Sequence, residues 1–194
     1  MSATSREAQA ALDLHNKARR EALGGCRPDL VWSRSLEAIA EAYAKKLVRM
    51  NRGMIHDPRA AELNMGENLT MGEYSPKLLV LTLTESTRGW VNEEKWYKGE
   101  PVSRTMKDNR GNQWGHYTQV ISTRCTKVGI AYASGHNVQF VVARPSQWFN
   151  SFAKTQEERE EVFPWQPLWR HHEWEFLIKE ELWMSQGKCG LGEV

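Results

Sequence analysis

Gly115-His116-Tyr117-Thr118-Gln119-Val120-Ile121-Ser122 is the stretch on which the reading of this chain turns. Its glycine closes a polar loop over 98–115, and the residues from Tyr117 to Ser122 predict a strand. Downstream, Lys127 to Ala133 and Val138 to Arg144 predict two more strands, joined by Ser134-Gly135-His136-Asn137 as a hairpin turn.

Upstream, the apolar period lengthens to that of helices. A first helix is predicted from Ser5 to near Leu23, with Thr4 and Glu7 at capping-box spacing and Gly24-Gly25 as the stop. Its inward stripe is Ala8, Ala11, Leu12, His15, Ala18 and Ala22, which brings His15 and Arg19 onto or beside a buried face. A second helix runs from Ser33 to Arg52, with Leu36, Ile39, Ala40, Tyr43 and Leu47 inward. Residues 53–74 read as a long irregular loop, the kind of segment that carries function in compact domains. A third helix is expected to start at Ser75-Pro76, with a stripe of Leu79, Leu83, Ser86, Trp90, Glu93 and Tyr97. Glu93 falls on that stripe and Glu94 does not. A carboxylate on a buried face needs a partner, so Glu93 is the candidate of the two.

The chain has 194 residues, 40% of them hydrophobic, enough for one packed domain and an appendage. The net charge of +2 conceals an uneven distribution. Residues 154–194 are acidic and hold Trp165, Trp169, Trp174 and Trp183, whereas residues 1–153 are basic. A basic body favours anionic surfaces such as phospholipid. Nothing resembles an arginine-rich or aromatic nucleic-acid pattern, so nucleic acid is not an expected partner. In the tail, His172 to Met184 predicts a short amphipathic helix with Trp174, Leu177, Ile178 and Leu182 on one side. Cys26, Cys125 and Cys189 are too few for a disulfide scaffold. Met1 to Gln9 lacks the apolar core of a signal peptide, and Ser2 removes the myristoylation site. The expected location is therefore cytoplasmic or peripheral to a membrane, or extracellular if a signal peptide has been removed.

Three segments together resemble the CAP superfamily, which unites cysteine-rich secretory proteins, antigen 5 and pathogenesis-related 1. They are Leu14-His15-Asn16-Lys17-Ala18-Arg19, Gly66-Glu67-Asn68-Leu69 and the opening Gly115-His116-Tyr117-Thr118-Gln119-Val120. Leu30-Val31-Trp32, Trp90-Val91-Asn92-Glu93 and Val128-Gly129-Ile130-Ala131 support it, and Val141-Val142-Ala143-Arg144 is similar to the Golgi-associated, disulfide-poor branch. The resemblance covers residues 8–150. One departure is Ile121-Ser122, where the family commonly has Val-Trp.

The resemblance implies an α+β fold, a three-layer α-β-α sandwich over 5–153, with a Trp-rich acidic extension over 154–194. It also implies a central cleft where His56, Glu67, Glu93 and His116 meet. Two readings of those side chains stay open. The imidazoles of His56 and His116 can ligate zinc or another divalent cation with the Glu67 and Glu93 carboxylates around them, or the four can close a hydrogen-bonded network. His15, Asn16 and Arg19 are expected to tie the first helix to nearby loops. No G-x-S-x-G nucleophile motif is present. The expected function is a non-catalytic binding protein for lipid, sterol or an anionic membrane surface. The alternatives are a metal-dependent hydrolase using the cleft, and an interaction scaffold that forms a homodimer through the tail.

Overall fold

A computed structural model describes residues 5–22, 25–73, 81–100 and 106–147. The features expected at Thr4, Gly24, Ser75-Pro76 and across 154–194 lie outside the described residues.

The alanine-rich stripe of the first segment forms helix α1, Ser5–Arg20, and buries Ala8, Ala11 and Ala18 together with His15 and Arg19. Ser33 caps α2, Arg34–Met50, by accepting from the Leu36 amide, and the helix stops at Asn51 in the left-handed conformation. Leu36, Glu37, Ala40, Tyr43, Ala44 and Leu47 are its buried face. Ile39, expected inward, is exposed. The burial stripe at 36, 40, 43, 44 and 47 leaves position 39 at its solvent edge.

The segment 53–74, expected to be irregular, contains helix α3, Pro58–Glu62, and a strand, Asn68–Glu73. Asn-Leu-Thr-Met-Gly-Glu has little strand propensity of its own. It is an edge strand, made by pairing with the last strand from Asn68↔Ala143 to Glu73↔Val138. The helix expected from Ser75-Pro76 begins instead after Thr82, as α4, Leu83–Val91. A reciprocal capping box fixes that start: the Glu85 amide donates to Thr82 Oγ1 and the Thr82 amide donates to Glu85 Oε2, both at 3.0 Å. Past Val91 the chain tightens into a 3-10 turn, Asn92–Trp96, rather than continuing as α-helix to Tyr97.

The largest correction concerns Tyr117 to Ser122, expected as a strand. Gly115–Val120 is a helix, α5. The Thr118 amide donates to Trp114, the Ile121 amide donates to Tyr117, and Tyr117, Val120 and Ile121 are buried at helical spacing.

Four strands form one sheet. With Asn68–Glu73 as β2, the others are β1, Val31–Trp32, β3, Lys127–Gly135, and β4, Val138–Pro145, in the order β1-β3-β4-β2. β1 runs parallel to β3, and the other pairings are antiparallel. His136 and Asn137, with φ of 53° and 63°, close the β3–β4 hairpin as a two-residue turn.

Both sheet faces are covered, so β3 and β4 read as nearly continuous apolar runs. Val128, Ile130, Val141 and Ala143 pack with α1, α4 and α5, while Ala131, Ala133, Phe140 and Val142 pack with α2. This is the α-β-α sandwich. α2 lies so close on the sheet that a Cβ on Gly129 would stand 2.0 Å from the Glu37 backbone nitrogen. Among the described residues, no helix is long and apolar enough to cross a membrane.

Candidate functional site

α1 contributes three buried polar side chains. Asn16 accepts from the Leu30 amide at 2.8 Å and donates to the Leu30 carbonyl at 3.1 Å, holding the chain just before β1 as a neighbouring strand would. Arg19 is fully buried and donates to the carbonyls of Pro28, Val120, Ser122 and Cys125 at 2.7–3.0 Å. Two of these, Val120 and Ser122, are at the C-terminal end of α5, where carbonyls lack helical partners. His15 donates from Nδ1 to the Ala11 carbonyl at 2.9 Å, and burial pulls its imidazole down from 6.5 to about 4. It is neutral at physiological pH. These three residues hold α1 against the loops and α5, and the His15 ring meets the Trp90 indole in an edge contact, with centroids 6.4 Å apart.

Those pairs are two. His116, at the start of α5, donates from Nδ1 to Glu93 Oε1 at 2.6 Å. The other oxygen, Oε2, accepts the backbone N–H groups of His116 and Tyr117 at 2.9 and 3.2 Å. Glu93 thus satisfies two of the unpaired first-turn donors of α5 while it orients the imidazole. The 3-10 turn after α4 supplies it, and the Trp90 indole lies 6.3 Å from the His116 ring at 30°. Burial pushes the Tyr117 phenol up.

His56 forms the second pair, its Nδ1 donating to Glu67 Oε1 at 2.6 Å. The same oxygen accepts the Asp57 amide at 3.1 Å, and Oε2 lies 2.8 Å from Arg144 Nη2. Arg144 is fully buried and also bonds Asp57 at 2.9 Å. Its guanidinium sits 4.9 Å from the centre of the Tyr43 ring. Burial, and then the charges of Glu67 and Asp57, push the Tyr43 phenol up to about 12, so it stays a donor to the Ile55 carbonyl, at 2.7 Å.

Asn68 connects the two halves. It follows Glu67 in the chain and donates to the His116 carbonyl at 3.1 Å. Gly66, before Glu67, has no room for a side chain, since a Cβ there would meet Gln119 Cδ at 2.6 Å. In both pairs the carboxylate takes Nδ1, which leaves Nε2 as the free ring nitrogen. Among the described residues, no group of three His, Cys, Asp or Glu side chains is placed to hold a metal ion.

Arg144, Asp57 and Tyr43 were not among the residues expected at the site. The signal for Arg144 was a lone charge on a strand buried on both faces. Period two puts it on the face of Phe140 and Val142, toward Tyr43 of α2.

Residues 12–144 match the family model described as the cysteine-rich secretory protein family, CAP. The chain is 32% identical over 132 residues to pathogenesis-related protein 1C of Nicotiana tabacum, covering 68% of this chain and 69% of that one. It is 30% identical over 128 residues to venom allergen-1 of Aedes albopictus, covering 61% and 49% of the two chains. Among solved structures it is similar in fold to NaASP2 with Zn2+, with a TM-score of 0.57, 20% identity and coverage of 77% and 83%. BmVAL-1 gives a TM-score of 0.55, 23% identity and coverage of 76% and 80%. With its sandwich, its two histidine–carboxylate pairs and a match over most of its length, the chain belongs to the cysteine-rich secretory protein (CAP) family.

Proposed function

We propose that this chain is a non-catalytic binding protein that works at an anionic lipid surface, with a cleft in which His56 and His116 offer Nε2 to a divalent cation or a polar ligand group. One observation carries the choice of binding over hydrolysis: every oxygen of the two carboxylates is already engaged, three by hydrogen bonds and Glu67 Oε2 by its ion pair with Arg144. Glu67 holds His56, the Asp57 amide and Arg144, and Glu93 holds His116 and two backbone amides. A general base needs an oxygen free to reach the proton it removes. These carboxylates orient imidazoles instead.

The two free Nε2 atoms support a weak, open cation site rather than a ligand cage already formed among the described residues. A carboxylate on Nδ1 fixes the tautomer that presents Nε2 to a metal. With only two imidazoles, a zinc ion would complete its coordination from solvent or ligand oxygens, and once bound it would act there as a Lewis acid toward those oxygens. NaASP2, whose structure is described with Zn2+, shares the fold and supports trying zinc first. The lipid part is supported by the basic balance of residues 1–153.

Two assays test the reading. Cosedimentation with phosphatidylserine-containing vesicles at low salt, with sterol and fatty-acid binding alongside, is expected to show association. No binding to any of the three overturns the lipid reading. Calorimetric zinc titration is expected to give a signal that His56→Ala/His116→Ala abolishes. Equal binding by wild type and double variant overturns the cation reading.

A further inference from the structure

The loop that carries His56 is built inside out. Polar groups usually face water and apolar ones the core, but here the inward positions are occupied by polar contacts. The Ile55 carbonyl accepts from Tyr43, His56 bonds Glu67, and the Asp57 carboxylate bonds Arg144. The apolar side chains are left outside: Met54 is 55% exposed, Ile55 41% and Leu63 61%. These are three of the seven large hydrophobic residues exposed among the described residues, within ten positions of one another. Scattered single exposures need no explanation, but a cluster does.

Cations flank the cluster along the chain. From Lys45 to Leu63 the chain carries Lys45, Lys46, Arg49, Arg52 and Arg59 against two acids, Asp57 and Glu62. Asp57 is buried on Arg144, so only Glu62 offers an exposed negative charge in that stretch. Lys45 pairs with Glu41 at 2.7 Å, and Arg59, its side chain still 65% exposed, lies 3.7 Å from Asp57. The contacts place these groups together. Lys46 lies 5.5 Å over the Tyr43 ring, and Tyr43 holds Ile55. The Leu63 amide donates to the Arg59 carbonyl, which sets Leu63 one helical turn beyond Arg59 on the same side.

We infer that the segment from the last turn of α2 through α3 is the surface by which this protein docks on an anionic phospholipid bilayer. Met54, Ile55 and Leu63 enter the headgroup boundary, and Arg49, Arg52 and Arg59 meet the lipid phosphates and carboxylates. The inference rests on the lipid reading above and assigns that function to a place. Exposed apolar side chains flanked by Arg and Lys, with little competing negative charge, complement the surface of an anionic membrane. The anchored backbone holds them outward before binding. The side chain of His56 is 71% exposed in the same loop, so docking here brings the cleft to the headgroup layer.

The test is cosedimentation of the full chain with phosphatidylcholine vesicles, with and without about one third phosphatidylserine. Wild type is compared with Arg52→Gln/Arg59→Gln, with Met54→Ser/Leu63→Ser, and with Lys17→Gln/Lys127→Gln, which removes the same charge from other exposed positions. Thermal melts confirm that each variant is folded. The arginine pair is expected to lower partitioning on the order of 25-fold at low salt, about fivefold per charge. The apolar pair is expected to lower it at low and high salt alike, and the lysine pair to change it much less. If wild type binds but the loop variants bind as well as it does, or lose no more than the lysine control, the docking surface is wrong and the lipid reading stands. If wild type binds no phosphatidylserine vesicle, the anionic-lipid reading fails and the docking surface fails with it.

Discussion

Replacing Arg144 with methionine removes the charge beside the His56–Glu67 pair while keeping a similar stem. The guanidinium is fully buried, with Asp57 at 2.9 Å and Glu67 at 2.8 Å, and both of those side chains are buried too. Without it, two carboxylates are left in a desolvated place with no cation. Breaking a buried pair from one side costs about 3–5 kcal/mol. The lower half of that range applies, because Nε and Nη1 of Arg144 have no hydrogen-bond partner among the described residues, so the native pair is itself incompletely compensated. Loss of the Tyr43 stacking contact adds about 1 kcal/mol. The expected loss is about 4–5 kcal/mol, a large part of the stability of an ordinary domain. Urea unfolding followed by tryptophan fluorescence measures it, and a thermal scan should show Tm lowered by about 10 °C. The triple variant Arg144→Met/Asp57→Asn/Glu67→Gln should recover more than half of the loss, because neutral partners need no cation. A loss under about 1 kcal/mol in the single variant, or no recovery in the triple, would refute the account of Arg144 as the counter-charge of this site.

Two further predictions follow from the core. Gly129→Ala places a methyl group 2.0 Å from the Glu37 nitrogen and 2.4 Å from the Leu36 carbonyl carbon, both of them backbone atoms. No rotamer change relieves that contact, so α2 must lift from β3; denaturant unfolding should show a loss of at least about 3 kcal/mol, the upper end for overpacking, and a loss below 1 kcal/mol would mean that the layers are farther apart. His15 predicts a pH dependence. Its folded value of about 4 lies below the ordinary 6.5, so between those values the unfolded chain binds a proton that the folded chain does not. Stability from this group is complete above pH 6.5 and falls as the pH drops toward 4, by about 3 kcal/mol in all. His15→Gln should flatten that part of a stability–pH curve, and an unchanged slope would assign the acid sensitivity elsewhere.

The fold was legible where one residue type has one physical meaning. Alanine spacing marked α1, Ser33 marked the start of α2, and two short apolar runs about a Gly-His-Asn turn marked β3 and β4. It was illegible where tertiary contacts supply what local sequence lacks. β2 has no strand composition and owes its form to its hydrogen bonds with β4. The start of α4 rests on the Thr82–Glu85 capping box, a pattern of one threonine and one glutamate that many surface segments share. Glu93 was separated from Glu94 by extending the α-helical stripe, although the chain has tightened into a 3-10 turn by that point. Arg144 and Asp57 could not be joined, because they lie 87 positions apart and neither carries a motif of its own.

The misreading of Tyr117 to Ser122 shows how fold and site depend on each other. A six-residue segment rich in aromatic and branched side chains has no intrinsic reason to be a helix, since short helices are marginal without tertiary support. α5 is supported at both ends by charged side chains from elsewhere in the chain. Glu93 accepts the amides of its first turn, and Arg19 donates to the carbonyls of Val120 and Ser122 at its last. The carboxylate that caps the helix is the one that holds the His116 imidazole, so Glu93 serves folding and site geometry through the same two oxygens. It follows that H-N-x-x-R, the glutamate of the 3-10 turn and the G-H-Y-T-Q-V stretch, which look like three separate motifs in sequence, are parts of one device: a short helix clamped by an arginine and a glutamate so that one histidine is presented in one tautomer.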